Sequence, residues 1–285
     1  MTRRSIRLDL SYDGTEFAGW QRQKNARSVQ AALEDALARM HGHPVKTTGA
    51  GRTDAGVHAM GQVASFFTDI ASIPARNFTL ALNRLLPADL RVLSASEAHP
   101  DFHARYDARL RRYRYFIVCG PVADPMRLRY AHRISRRPDL ASLNAMASTI
   151  LGEHDFTTFS SARDPSGNRS RFVHESAFRW EGEFLVYQIA ANAFLLRMVR
   201  SLVGSMLYLE AAGAATGSAT GDADAADLRS AMAGALAARD RSRAGPTAPS
   251  HGLFLWNVEY YAQPTRPGRN AAVMDFGAEP EDEGE

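Results

Sequence analysis

Cysteine occurs once in the 285 residues, at Cys119. A single thiol excludes an intrachain disulfide and a cysteine-rich zinc site, and it points to a reducing compartment, with the cytoplasm as the expectation. Lysine is almost as scarce: of the 34 basic residues only Lys24 and Lys46 are lysines. The positive surface is therefore built from arginine, whose planar fork suits phosphate and stacks on bases, although a GC-rich coding sequence produces the same bias. Long uncharged apolar runs are missing as well. The opening MTRRSIRLDLSYDG has no signal-peptide core, and FLLRMVRSLVGSMLYL is broken by Arg197 and Arg200, so nothing is expected to span or cross a membrane.

What is present suffices for one large core or two smaller ones sharing a sheet, since 45% of the residues are hydrophobic. The formal charge of +3 is unevenly spread. Residues 263–285 hold six acids against Arg266 and Arg269, a net of −4, which leaves +7 on residues 1–262. That excess permits a polyanionic partner. The tail itself reads as flexible and noncatalytic.

Strands and helices alternate along the body. RSIRLDLSYDG sets Ile6, Leu8 and Leu10 in alternation, a strand that ends at Asp13-Gly14. SVQAALEDALARM places Val29, Leu33, Leu37 and Met40 on one helical face behind Ser28 as N-cap. QVASFFT and LRVLSASE read as strands, and RNFTLALNRLLP as a helix stopped by Pro87. Further on, LRRYRYFIVC is a strand with Tyr113, Tyr115 and Ile117 on one face and Arg112, Arg114, Phe116 and Val118 on the other. DLASLNAMASTIL is a helix, FVHESAFRW and FLVYQIAA form a hairpin around EGE, AFLLRMVRSLVGSMLYL is a long helix with Arg197 and Arg200 on one face, and ATGSATGDADAAD is a loop before a last helix. GLFLWNVEYY closes as a strand. The hairpin implies antiparallel pairing, so α+β is expected over a doubly wound sheet, with halves at 1–105 and 106–262 and the tail at 263–285.

Residues 49–63, GAGRTDAGVHAMGQV, set one carboxylate, Asp54, beside Arg52 among four glycines. A dinucleotide fingerprint would need glycine where Asp54 stands, and a P-loop would need Lys and Ser or Thr where Val57 and His58 stand. Asp54 and His58, with His103 or Asp101, are a possible metal set, but the spacing does not insist on one and no metal is expected. A guanidinium beside a carboxylate favours its ionised form, available as nucleophile or base. The glycines are expected to let a large ring approach it. The plainer alternative is that Asp54 caps a turn and pairs with Arg52.

GAGRTDAGVHA, YDGTEFAGWQRQ, RRYRYFI, NAFLLRMVRSLVGS and RDRSRAGPTAPSHGLFL, in this order across about residues 6–261, resemble the tRNA pseudouridine synthase A family. The resemblance implies a pseudouridine synthase fold: a central, mostly antiparallel sheet flanked by helices, with two pseudo-symmetric α+β halves and a cleft between them. It implies a homodimer that binds tRNA and isomerises uridines at positions 38–40 of the anticodon stem-loop without a cofactor. By motif position Asp54 matches the catalytic aspartate, Tyr113 the residue that stacks on the target base, Arg52 an arginine beside the displaced base, and Arg200 a basic partner of the aspartate. One departure is the stretch SSARDPSGNRSRFV, where many members carry an Arg-Thr-Pro loop; Arg169 or Arg171 is expected to serve there.

The chemistry accords with those roles. Turning uridine into its C-glycoside breaks the N1–C1′ bond, rotates the base and rejoins it through C5, with no net redox change. One carboxylate can serve by attacking C1′, by adding to the ring or by removing the C2′ proton. A base in a helical stem must first leave the stack, so an aromatic platform and a guanidinium are the expected tools. Trp20 and its loop either pack or, through Arg22, Lys24 and Arg27, contact phosphate. A binding protein without turnover and a nucleoside hydrolase are the rival readings.

Overall fold

Ile6, Leu8 and Leu10 alternate as a strand requires, and all three are fully buried in β1 (Arg4–Tyr12) of the computed structural model, which describes residues 4–215 and 221–261. The remaining strands are β2 (Thr47–Gly49), β3 (His58–Thr68), β4 (Leu90–Ala98), β5 (Ala108–Cys119), β6 (His132–Ile134), β7 (Gly152–Asp155), β8 (Ser170–Glu181), β9 (Phe184–Ala191) and β10 (Leu253–Tyr260). They form one ten-stranded sheet in the order β4-β1-β3-β10-β5-β9-β8-β7, with β2 beside β3 and β6 beside β5. Only the β3/β10 and β5/β6 pairs are parallel. The helices are α1 (Val29–His41), α2 (Asn77–Asn83), α3 (Pro125–Leu128), α4 (Leu140–Ser148), α5 (Met198–Ala215) and α6 (Gly221–Ala238). The protein thus has the α+β, mostly antiparallel architecture expected of it.

Helix α1 forms for legible reasons. Ser28 is extended and its hydroxyl accepts from the Ala31 amide at 3.3 Å, Val29, Leu33 and Leu37 are buried, and Gly42 ends the helix at φ 75°. Helix α2 is shorter than RNFTLALNRLLP predicts. Asn83 is bound on both sides to the Val92 backbone of β4, at 2.8 and 2.9 Å, and beyond it the Leu85 amide turns back to Leu82 in a tighter turn.

Two other expectations change. ATGSATGDADAAD is not a loop throughout, because α6 begins at Gly221; residues 216–220 lie outside the described residues, as does the acidic tail from 262 onward. The long helix begins at Met198, not at Ala193. Arg197 sits at φ 64°, outside the helical range, and its carbonyl accepts the first intrahelical bond, from Ser201, so Arg197 and Arg200 do not share a helical face.

The last strand sets the frame of the site. β10 is inserted between β3 and β5, where Leu255 is paired with Ala59 on one side and Tyr113 on the other. The start of β3, just after the Asp54 loop, is thereby held one strand away from Tyr113. Among the described residues no helix is long and apolar enough to cross a membrane.

Candidate active site

Asp54 lies in the connection from β2 to β3, and main-chain hydrogen bonds fix the shape of that loop. Ala50 N–H donates to Val63 at 2.7 Å, Trp20 N–H donates to the Thr53 carbonyl at 3.0 Å, and Gly56 N–H donates to Phe17 at 3.2 Å. Asp54 opens a turn closed by Val57 N–H at 3.1 Å, and Gly56, third in that turn, takes φ 75°, which favours glycine. Beneath the loop the Tyr12 and Thr53 hydroxyls lie 2.9 Å apart, and the fully buried Gln62 donates to the Gly51 carbonyl at 2.8 Å. Burial pushes the Tyr12 phenol up to about 12.

The glycines do other work than admitting a ring. A β-carbon on Gly49 would lie 2.5 Å from the Trp20 indole, one on Gly56 2.6 Å from Ser250 Oγ, and one on Gly61 2.5 Å from the Trp256 carbonyl. Three of the four are therefore filled by the protein itself. Gly51 alone has room, its nearest neighbour being the Tyr113 hydroxyl at 3.9 Å. Trp20, at 2% exposure, is a packing residue, and Arg22 and Arg27 are engaged by Glu34 and Asp35 and by Asp89.

The partner of Asp54 comes from the other half of the chain. Arg200, in the first turn of α5, donates from Nη1 to Asp54 Oδ2 at 2.9 Å, and both side chains are mostly buried. Its Nε donates to the Ala248 carbonyl at 2.8 Å, while the Ala248 amide donates back to the Arg200 carbonyl at 3.0 Å. The guanidinium is thus held along two directions. Asp54 Oδ1 takes no hydrogen bond from any described residue. Arg52, two residues upstream, is exposed, and the ion pair of Asp54 is with Arg200, the partner that the resemblance implies.

Segment 244–252 backs Arg200. Gly204 of α5 has the Pro246 carbonyl where a β-carbon would be, at 1.9 Å, the Gly245 amide donates to Ser205 at 2.9 Å, and the Tyr115 hydroxyl donates to Pro249 at 2.9 Å. The two tyrosines of β5 therefore divide their work. Tyr115 tethers the segment that brackets Arg200, and Tyr113 faces the Asp54 loop. Tyr113 is 6% exposed and meets Phe194 edge-on at 5.0 Å. Burial first, then the neighbouring Tyr12 and Asp54, pushes its phenol well above the usual range.

His58 is not directed to a metal set. Its Nδ1 accepts from Gly14 N–H at 3.0 Å and lies 3.1 Å from Asp13, and its ring stacks on Phe254 at 4.6 Å. Of the two arginines in the departing loop, Arg171 is buried and donates to the Asn168 and Ser170 carbonyls, whereas Arg169 is half-buried and donates to Ser160. Sequence reasoning passed over Gln62, Ala248, Phe194 and above all Arg111, which is buried and bonded to Ala50. An arginine in a strand gives no local sign of being buried.

The family model described as tRNA pseudouridine synthase matches residues 10–107 and 146–261. The chain is 46% identical over 262 residues to tRNA pseudouridine synthase A of Treponema denticola, covering 90% of this chain and 93% of that one. It is 40% identical over 257 residues to the protein of the same name in Exiguobacterium sp., covering 90% and 98%. A solved structure entitled "Crystal Structure of a Cbf5-Nop10-Gar1 Complex" aligns over 71% of this chain and 44% of its own at 14% identity and a TM-score of 0.31, too loosely to add to the argument. With matches to the family model on both sides of the junction at which Asp54 and Arg200 meet, the chain belongs to the tRNA pseudouridine synthase family, a family of isomerases.

Proposed function

We propose that the protein isomerises uridine to pseudouridine at positions 38–40 of the tRNA anticodon stem-loop, as a cytoplasmic homodimer that needs no cofactor. Asp54 is the catalytic carboxylate, Arg200 its basic partner, Tyr113 the ring against the target base and Arg52 the guanidinium beside the displaced base. The observation that carries this reading is the 2.9 Å ion pair between Asp54 and Arg200, which leaves Oδ1 without a hydrogen bond among the described residues, while the Asp54 charge is near enough to Tyr113 to push its phenol up.

The division of labour follows from that geometry. Arg200 occupies Oδ2 and is itself held by Ala248, so Oδ1 is the oxygen presented to the ribose or to the uracil ring. The N1–C1′ bond breaks, the base turns while it stays in the site, C5 bonds to C1′, the C5 proton leaves to solvent and N1 takes up a proton, so atoms and electrons balance without an external reagent. Tyr113 limits how far the detached base can drift. The exposed Arg52 serves as the guanidinium beside the displaced base, and the +7 carried by residues 1–262 suits a polyanionic substrate.

The test is tritium release from tRNA labelled at uridine C5, with pseudouridine mapped in the product. Release at stoichiometry with pseudouridine in the anticodon stem-loop is expected. Free uracil would establish a hydrolase, and tight binding without release would establish a binding protein.

A further inference from the structure

Arg111 lies two residues before Tyr113 on the same face of β5, and only 8% of it is exposed. Its guanidinium makes five hydrogen bonds, and every acceptor is a main-chain carbonyl. Nε and Nη2 donate to Ala50 at 3.1 and 2.9 Å, Nη1 donates to Ala108 at 2.9 Å and to Asn192 at 2.6 Å, and Nη2 also donates to Arg105 at 2.5 Å. Burial pulls its pKa below the usual arginine value, yet a guanidinium stays charged in a protein. With no carboxylate partner among the described residues, the cost of burying this cation is offset by those carbonyls alone, which in turn depend on it for their donors.

The positions of the four carbonyls explain the arrangement. Ala50 begins the loop that carries Asp54. Asn192 begins the segment that leads to Arg200, and it is fastened to β8 by reciprocal bonds with the Phe172 backbone at 3.1 and 3.2 Å. Arg105 and Ala108 form the bend that enters β5 and so leads to Tyr113. We propose that Arg111 is a positioning residue for the reaction: one planar fork that ties the Asp54 loop, the approach to Arg200 and the strand of Tyr113 to a single point. Lysine brings three donors from one atom and cannot span the same four carbonyls, so planarity as well as charge is required.

The inference rests on the function proposed above, and the test separates the two. Arg111→Lys and Arg111→Met are compared with the wild type in single-turnover pseudouridine formation on tRNA, in tRNA affinity and in thermal melting. Arg111→Lys is expected to fold and to bind tRNA within about three-fold, because phosphate contacts supply the binding. Its single-turnover rate is expected to fall about 10- to 100-fold, the effect of misplacing reacting groups by about an ångström. Arg111→Met should be slower still, which makes lysine a partial rescue. A wild-type rate in Arg111→Lys overturns the proposal. Rate, affinity and folding failing together in Arg111→Lys also overturns it, by returning Arg111 to the general fold; if only Arg111→Met fails to fold, the lysine variant decides. A wild type with no turnover defeats the functional reading first, and this inference with it.

Discussion

Gly56 and Ser250 are in contact: a β-carbon on Gly56 would lie 2.6 Å from Ser250 Oγ, and Gly56 holds φ 75°. Through this pair the turn that carries Asp54 rests on the segment that brackets Arg200. Gly56→Ala should therefore cost stability twice, by about 1–2 kcal/mol for the left-handed backbone and more for the contact. Denaturation of Gly56→Ala, Ser250→Gly and the double variant checks this. Ser250→Gly should recover the contact part of the loss and leave the backbone part; no coupling between the two would show that the segments do not bear on each other.

Asp54→Asn keeps the shape of the side chain and removes the anion. Turnover should vanish, while tRNA affinity stays equal or rises, because a negative charge leaves a site meant for phosphates. The melting temperature should move little, since Arg200 retains Ala248 and an amide oxygen can still accept from Nη1. Conversion near the wild-type rate would remove Asp54 from the mechanism.

Tyr113 is too buried for its truncation to be neutral. Tyr113→Phe should keep both stability and most turnover, because the ring against Phe194 remains. Tyr113→Leu should lose about 1–3 kcal/mol and nearly all turnover. Assay below the melting temperature of both variants separates the effects, and full activity in Tyr113→Leu would exclude a role for the ring.

Binding of tRNA should be strongly dependent on salt. Residues 1–262 carry +7, and Arg52, Arg163 and Arg197 are exposed. Affinity should fall about 100-fold or more between about 50 and 200 mM salt, through counterion release. A flat dependence would mean that phosphate contacts do not dominate.

His58 makes stability depend on pH. Burial holds its pKa below the ordinary histidine value, an effect that nearby Asp13 only partly opposes. The unfolded chain therefore takes up a proton at a pH where the fold does not. Stability is full above the unfolded value of about 6.5 and declines as pH falls below it, by at most about 1.4 kcal/mol per unit for this group. Urea midpoints from pH 7 down to 5 should fall for the wild type and more gently for His58→Asn; parallel curves would assign the loss to other groups.

Local regularity was legible in the chain. The alternation of Ile6, Leu8 and Leu10, the Ser28 cap on α1, the two faces of β5 and the hairpin of β8 and β9 all follow from backbone geometry within a dozen residues. The motif around Asp54 likewise singled out the carboxylate, because its spacing is a property of one short segment. The short strands β2, β6 and β7 and the four-residue α3 were not legible, since three or four residues carry no usable period.

What joins distant segments was decided only by the tertiary structure. Only the family resemblance pointed to Arg200 as the partner of Asp54; why the two meet is tertiary, because β10 enters between β3 and β5 and segment 244–252 seats α5 against the Asp54 loop. Glycines read as room for a substrate turn out, at Gly49, Gly56 and Gly61, to be room for Trp20, Ser250 and the backbone of β10. Arg111 carries the same charge as its neighbours in sequence and differs only in being surrounded by four carbonyls from separate segments. Periodicity is set by covalent geometry and can be read one segment at a time; the partner of a charge is set by strand order and register, which no single segment contains.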